Sequence, residues 1–203
     1  MIAIIDYGLG NLGSVLNMFL KVGARAKIVR APEEILEAEK LVLPGVGSFD
    51  AAMSRISDAG LPEVLNTLVL EKEVPIIGIC LGMQLLMDGS EEGKLPGFGW
   101  IKGKAYNFSE RITSNLKVPH MGWNSVTITK QCSLTRGFNE DPRFYFVHSY
   151  FVIAEDAAHS FMNCSYGIEF NAAVNKGNIF GAQFHPEKSH RFGMQLLRNF
   201  ADL

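Results

Sequence analysis

Residues 75–84 read Pro75-Ile76-Ile77-Gly78-Ile79-Cys80-Leu81-Gly82-Met83-Gln84. Pro75–Ile79 is fully apolar and short, the pattern of a strand covered on both faces, and a helix is expected to start at once after Cys80. Such a strand needs neighbours on either side and helices above and below. Toward the N-terminus the sequence supplies them in alternation. Ile2–Asp6 reads as a strand, Leu12–Val22 as a helix that Gly23 ends, and Ala26–Val29 as the second strand. A short helix that Pro32 can open comes next, then strand Leu41–Leu43, a helix from Phe49 with Ser48 as its cap, and helix Leu61–Leu70.

Beyond about Gly97 the pattern changes to alternating and aromatic strands at Trp100–Tyr106, Ser125–Thr129, Phe144–Ile153, Phe161–Tyr166, Phe170–Asn175 and Ile179–Phe184, with a last helix over Phe192–Ala201. The expected fold class is therefore α/β: a doubly wound, mostly parallel sheet flanked by helices and extended by antiparallel strands. With 203 residues, no composition shift and no Ser/Pro-rich linker, residues 1–203 are expected to form one domain.

Composition narrows the function. Hydrophobic residues make up 47% and charged residues 20%, enough for a sizeable core. A net charge of −2 and the lack of any basic run argue against nucleic acid or an anionic membrane as partner. No stretch approaches the length of a spanning helix and the N-terminus carries no basic leader, so a cytoplasmic protein is expected. Cys80, Cys132 and Cys164 are odd in number and widely spaced, which predicts neither a disulfide framework nor a metal site.

The chemistry centres on Cys80. A nucleophile flanked at two residues' distance by Gly78 and Gly82, where a strand turns into a helix, is the nucleophile-elbow pattern with sulfur in place of oxygen. So sharp a turn needs neighbours without side chains, and amides at the start of a helix favour a thiolate. Read blandly, Cys80 would be a small buried hydrophobe, the role expected of Cys132 and Cys164. A second element weighs against that: Gln183-Phe184-His185-Pro186-Glu187 at the end of the last strand. Residues two apart on extended chain point the same way, so His185 can reach the sulfur as general base while Glu187 orients its imidazole. His120, His148, His159 and His190 have no such company and read as surface or core residues. Pro44-Gly45-Val46-Gly47 can present bare amides to a developing oxyanion beside Cys80, with the Leu81 N–H as second donor.

Gly8-Leu9-Gly10-Asn11-Leu12-Gly13 also matches the dinucleotide fingerprint GxGxxG, with Arg30 at the end of the second strand as a conceivable partner for a 2′-phosphate. No acidic or hydride-handling set follows it, so these glycines read as shaping a loop, and no cofactor is expected.

GICLGMQ and QFHPEK together resemble the signature pair of class I (triad) glutamine amidotransferases. DYGLGNLGSV, LPGVGSFD, SEEG, PHMGWN and YFVHSY extend the resemblance along the chain, toward the glutaminase subunits of imidazole glycerol phosphate synthases. The resemblance implies L-glutamine as substrate, with a thioester on Cys80 and proton transfer by His185 backed by Glu187. It further implies that Gln84, Glu92 and the backbone at Ser149 and Tyr150 hold the substrate's amino-acid end, and that Val46 supplies the oxyanion amide. Asn11, Met121, Trp123 and Lys188 match positions facing a (β/α)₈-barrel cyclase in a heterodimer. For Gln84 an exposed helix residue, and for Trp123 a core aromatic, are the alternatives. One departure concerns the acceptor: His190-Arg191-Phe192-Gly193-Met194 resembles instead paralogous subunits that serve amidation of bacterial surface sugars. Nothing in the 203 residues reads as using ammonia, which also predicts a partner.

Overall fold

Ile76–Cys80 is buried at every position, and its side chains divide between two separate cores: Ile76 packs into one, Ile77 and Ile79 into the other. The computed structural model, which describes residues 1–112, 115–138 and 142–203, shows what lies on each side. The elements in chain order are β1 (Ile2–Ile5), α1 (Leu12–Lys21), β2 (Ala26–Val29), α2 (Pro32–Ile35), β3 (Lys40–Gly45), α3 (Phe49–Asp58), α4 (Leu61–Asn66), β4 (Ile76–Cys80) and α5 (Leu81–Leu85). They continue with β5 (Gly89–Ser90), β6 (Gly103–Asn107), β7 (His120–Ser125), β8 (Thr127–Ile128), β9 (Arg143–His148), β10 (Tyr150–Ala154), β11 (Ser160–Ser165), β12 (Glu169–Lys176), β13 (Ile179–Ala182) and α6 (His190–Ala201).

The main sheet has eight strands in the order β2-β1-β3-β4-β13-β12-β11-β8. The first five run parallel and the last three antiparallel, so the expected fold class holds. On one face Phe49, Ala52 and Ile56 of α3 and Leu61 and Leu65 of α4 meet Ala3, Ile5, Leu41 and Leu43. On the other, Val15 and Phe19 of α1 and Leu196, Leu197 and Phe200 of α6 meet Ile2, Ile4, Val42 and Phe180. Each such Val, Leu, Ile or Phe side chain contributes roughly 1.5–3 kcal/mol when fully buried. Two small sheets, β10-β6-β5 and β7-β9, stand beside the main one. Among the described residues no helix is long and apolar enough to cross a membrane.

Several boundaries differ from the sequence reading, each for a tertiary reason. Trp100–Tyr106 pairs only from Gly103, because the Trp100 indole N–H donates to Asn66 Oδ1 (2.8 Å) and its ring stacks on Phe98. Phe144–Ile153 is two strands, β9 and β10, which leave Ser149 to join different sheets. Ser125–Thr129 holds the end of β7 and the two-residue β8. The helix Leu61–Leu70 widens after Asn66 into a turn in which the Lys72 N–H reaches the Thr67 carbonyl. The predicted strand Ile179–Phe184 ends at Ala182, after which the Gln183 N–H still donates to the Ala172 carbonyl but the His185 N–H turns to the Tyr145 carbonyl of β9 (both 2.8 Å). Ser48 sits at the cap position of α3 but makes no capping bond; Glu92 Oε2 accepts the Phe49 N–H instead (2.9 Å).

Candidate active site

The parallel strands deliver their carboxyl ends to one edge, where ligands bind in sheets of this strand order. Register fixes who meets there. Gly45 stands opposite Cys80 across β3 and β4, and Ala182 opposite Ile79 across β13 and β4, so the loop after Gly45 and the segment after Ala182 both emerge beside Cys80.

Cys80 itself has φ 55° and ψ −111°, a strained, left-handed backbone position for a residue with a side chain. The turn closes only because its flanking residues are glycine. A Cβ on Gly82 would lie 1.8 Å from the Leu43 carbonyl oxygen, and one on Gly78 would lie 2.5 Å from the Gly82 carbonyl oxygen. The helix that follows, α5, is only five residues long, so its first-turn amides rather than a long macrodipole face the thiol.

His185 Nδ1 lies 2.7 Å from Glu187 Oε1, and both side chains are almost fully buried. The geometry differs from that expected of extended chain. Pro186 starts a tight helical turn through Lys188, and the turn folds the Glu187 carboxylate back under the ring. The Ser189 hydroxyl donates to the His185 carbonyl (2.6 Å) and accepts the Tyr145 N–H (3.0 Å), tying the turn to β9. Burial opposes a charge on His185, but the adjacent Cys80 side chain and the Glu187 carboxylate outweigh it and raise its pKa to about 10. Its Nε2 is buried and makes no hydrogen bond among the described residues, the nitrogen left to exchange a proton.

A pocket joins these groups: Val46, Gly47, Cys80, Leu81, Gln84, Glu92, Ser149, Tyr150, His185 and Lys188 line it, as do Pro119, Val147 and His148. Val46 is exposed at its mouth. Gln84 is buried rather than exposed on its helix, and its Nε2 donates to the Tyr150 carbonyl and to Gln183 Oε1 (both 3.2 Å). Burial raises the pKa of Glu92 despite the bond from Phe49 and with help from the charge of Asp50. Three contributors escaped the sequence reading. Gln183 donates its amide to Cys80 Sγ at 3.8 Å. The Tyr7 hydroxyl donates to the Pro44 carbonyl (2.7 Å) under the Val46 loop, and burial together with the charge of Cys80 raises its pKa, so it stays a donor. His148, read as an ordinary histidine, is in the pocket wall. Only Gln183 had a sequence signal, its place two residues before His185.

Glu187, though not on the pocket wall, reaches it through His185. Of the residues expected to face a partner, Met121 and Trp123 are 62% and 46% exposed on β7, and Asn11 is exposed where α1 begins. Trp123 is therefore no core aromatic; it stacks on His190 (5.4 Å between centroids) and meets the edge of Tyr145. Lys188 is exposed, with its Nζ 5.7 Å over the Tyr145 ring. The GxGxxG loop offers an anion little: the Gly8 N–H is taken by Asp6 Oδ1 (2.8 Å) and the Gly8 carbonyl by Arg55 (2.7 Å). Cys164 is buried with its thiol pushed up to about 12, as an inert core cysteine should be.

The chain is similar to known proteins over its whole length. The chain is 52% identical over 98% of both chains to the Imidazole glycerol phosphate synthase subunit HisH 2 of Methanococcus maripaludis, and 51% identical over the full length of both to the protein of the same name in Pseudomonas aeruginosa. The subunit HisH of Leptospira borgpetersenii is 44% identical over both full chains. Among solved structures, PurLQS from Thermotoga maritima superposes with a TM-score of 0.77 at 18% identity, covering 99% of this chain and 97% of that one. The profile of the Glutamine amidotransferase class-I family matches residues 3–203, and the chain belongs to that family.

Proposed function

We propose that this chain is the glutaminase subunit of an imidazole glycerol phosphate synthase, hydrolysing L-glutamine and passing the ammonia to a (β/α)₈-barrel cyclase in histidine biosynthesis. The observation that carries the chemistry is the convergence of strained Cys80 with the 2.7 Å His185–Glu187 pair on one sheet edge. The names of the full-length relatives support the pathway.

In this reading Cys80 Sγ attacks the side-chain carbonyl carbon of glutamine, and the oxygen that becomes negative is received by the amides of Val46 and Leu81. His185 gives its proton to the departing amide nitrogen, ammonia leaves, and a glutamyl thioester remains on Cys80. His185 then takes a proton from water as the water attacks the thioester, and glutamate is released. Glu187 holds the ring in place throughout, as the imidazolium before ammonia leaves and as the neutral imidazole that then receives the proton of water. Glu92 meets the substrate's ammonium group and the Ser149–Tyr150 backbone its carboxylate, with Gln84 bracing that backbone from beneath. Asn11, Met121, Trp123 and Lys188 face the cyclase. Ammonia is kept from solvent because protonation at neutral pH would remove its nucleophilicity.

A second acceptor remains in play on one observation. His190, the first residue to depart from the family pattern, takes φ 45° and stacks on exposed Trp123, so the divergent segment reaches the surface that would face the partner. A sugar-modifying synthase is the partner under that reading. The experiment is to purify the chain with its co-purifying subunit and follow amide-¹⁵N from glutamine. Label in an imidazole product supports the cyclase, and label in an amidated sugar overturns it. Glutamine hydrolysis that survives Cys80→Ser in the same complex would remove the nucleophile assignment.

A further inference from the structure

Two histidines outside the triad form a directed hydrogen-bond chain that ends on the substrate cradle. His120 on β7 and His148 on β9 stand opposite each other in the ladder, both buried. His148 Nδ1 is 2.8 Å from the Tyr150 carbonyl oxygen, His120 Nδ1 is 2.9 Å from His148 Nε2, and Asn124 Nδ2 is 3.2 Å from His120 Nε2. The roles follow from one end. A carbonyl only accepts, so His148 carries its proton on Nδ1; its Nε2 accepts from His120 Nδ1–H, and His120 Nε2 accepts from the Asn124 amide. The other N–H of that amide goes to the Ser165 carbonyl (3.1 Å). Both rings are neutral, each in a single tautomer. Burial disfavours charge on either ring, and His185 disfavours it further at His148.

Tyr150's carbonyl also receives Gln84 Nε2, so both of its lone pairs are used. The peptide that follows Tyr150 is thereby fixed where β9 ends, Ser149 bends and β10 begins in another sheet. Packing alone does not call for imidazoles here: His120 stacks between Phe146 and Tyr166, and His148 lies against Phe108 and Phe170, surroundings that a phenyl ring would suit. What a phenyl ring could not do is hold the Tyr150 carbonyl.

We propose that His148, backed by His120, is a positioning residue for glutamine: the pair pins the Tyr150 carbonyl and so sets the Ser149–Tyr150 backbone that receives the substrate's carboxylate. The inference rests on the glutaminase reading above and adds to it a link between β7, whose outer face carries Met121 and Trp123, and the far end of the substrate from Cys80.

The test uses the electrophilic glutamine analogue 6-diazo-5-oxo-L-norleucine, with alkylation of Cys80 followed by intact mass against analogue concentration. Loss of the hydrogen bond to the Tyr150 carbonyl, about 1 kcal/mol, predicts for His148→Phe a half-saturating concentration raised about fivefold to tenfold, with the limiting labelling rate within about twofold. His148→Asn, whose amide nitrogen falls near the Nδ1 position, should restore the half-saturating concentration to within about twofold of the unsubstituted protein. If His148→Phe does not fold, His148→Gln, which lacks a donor at that position, must show the same rise. An unchanged half-saturating concentration in a folded variant overturns this inference alone. Failure of the unsubstituted protein to be labelled at Cys80 overturns the glutaminase reading and this inference with it.

Discussion

Glu187 Oε1 holds His185 Nδ1 at 2.7 Å, and the carboxylate is almost wholly buried with its second oxygen unpartnered among the described residues. Burying a carboxylate in this way is costly unless its charge is used, and here it fixes the tautomer and raises the proton affinity of the ring. Glu187→Gln keeps the shape and removes the charge. We expect kcat for glutamine hydrolysis in the complex to fall about 10²–10⁴-fold with KM nearly unchanged, because the lost interaction serves proton transfer rather than binding. Steady-state kinetics check this, and a KM effect larger than the kcat effect would contradict it.

The elbow makes a stability prediction with its own control. Gly82→Ala puts a methyl carbon 1.8 Å from the Leu43 carbonyl oxygen, a backbone atom that cannot swing aside, so the β3–β4–α5 junction must open. A loss of roughly 1–3 kcal/mol or more is expected, with thiol reactivity at Cys80 lost in parallel. Gly13 lies inside α1 with nothing within 4 Å of its Cβ position, so Gly13→Ala should instead stabilise by about 0.5–1 kcal/mol. Urea denaturation of both variants measures the contrast.

These glycines illustrate what the sequence makes legible. An apolar run such as Ile76–Ile79 declares a central strand by composition, and glycines two residues either side of Cys80 declare the turn, because both signals are local. The split of Phe144–Ile153 is not local. Nothing in Phe-Tyr-Phe-Val-His-Ser-Tyr-Phe-Val-Ile marks Ser149 as a break; the bend is held where Gln84 of the remote α5, and His148 two residues away with His120 of β7 behind it, meet the Tyr150 carbonyl. For the same reason β7 went unread: it is a strand only by pairing with β9, and its His120 gains a role only from His148. The His185–Glu187 spacing pointed to the right pair, although the turn begun by Pro186, not extended chain, brings the two side chains together.

Acid should find the histidine pair. Burial holds the pKa of His148 down to about 3, a tendency that the bond to the Tyr150 carbonyl opposes and the neighbouring His120 and His185 reinforce; burial holds His120 at about 4. Unfolded histidines titrate near 6.5, so below that pH the unfolded chain binds protons that the folded chain refuses. The contribution of the pair is intact above about pH 6.5 and is lost as pH falls toward the folded pKa values, at up to about 1.4 kcal/mol per pH unit for each ring. Denaturation midpoints between pH 7 and pH 4.5 should fall accordingly, and His148→Phe should flatten the slope by about half. A slope unaffected by that substitution would assign the acid sensitivity elsewhere.

The exposed face of β7 carries the last prediction. Trp123 is 46% exposed and stacked on His190, so it presents a large, already oriented ring, and an aromatic held in this way loses little freedom when a partner covers it. Met121 is more exposed still and lies on the same side of the strand two residues away. In the proposed complex Trp123→Ala should weaken association by about 2 kcal/mol or more, a Kd raised some thirtyfold, as expected where an aromatic anchor is truncated. The melting temperature of the isolated chain should move by only a few degrees, since few core contacts depend on the ring. Titration of the two subunits by calorimetry and a thermal melt of the variant alone separate the outcomes. A large drop in melting temperature with unchanged Kd would return Trp123 to the structural role and place the partner on another face.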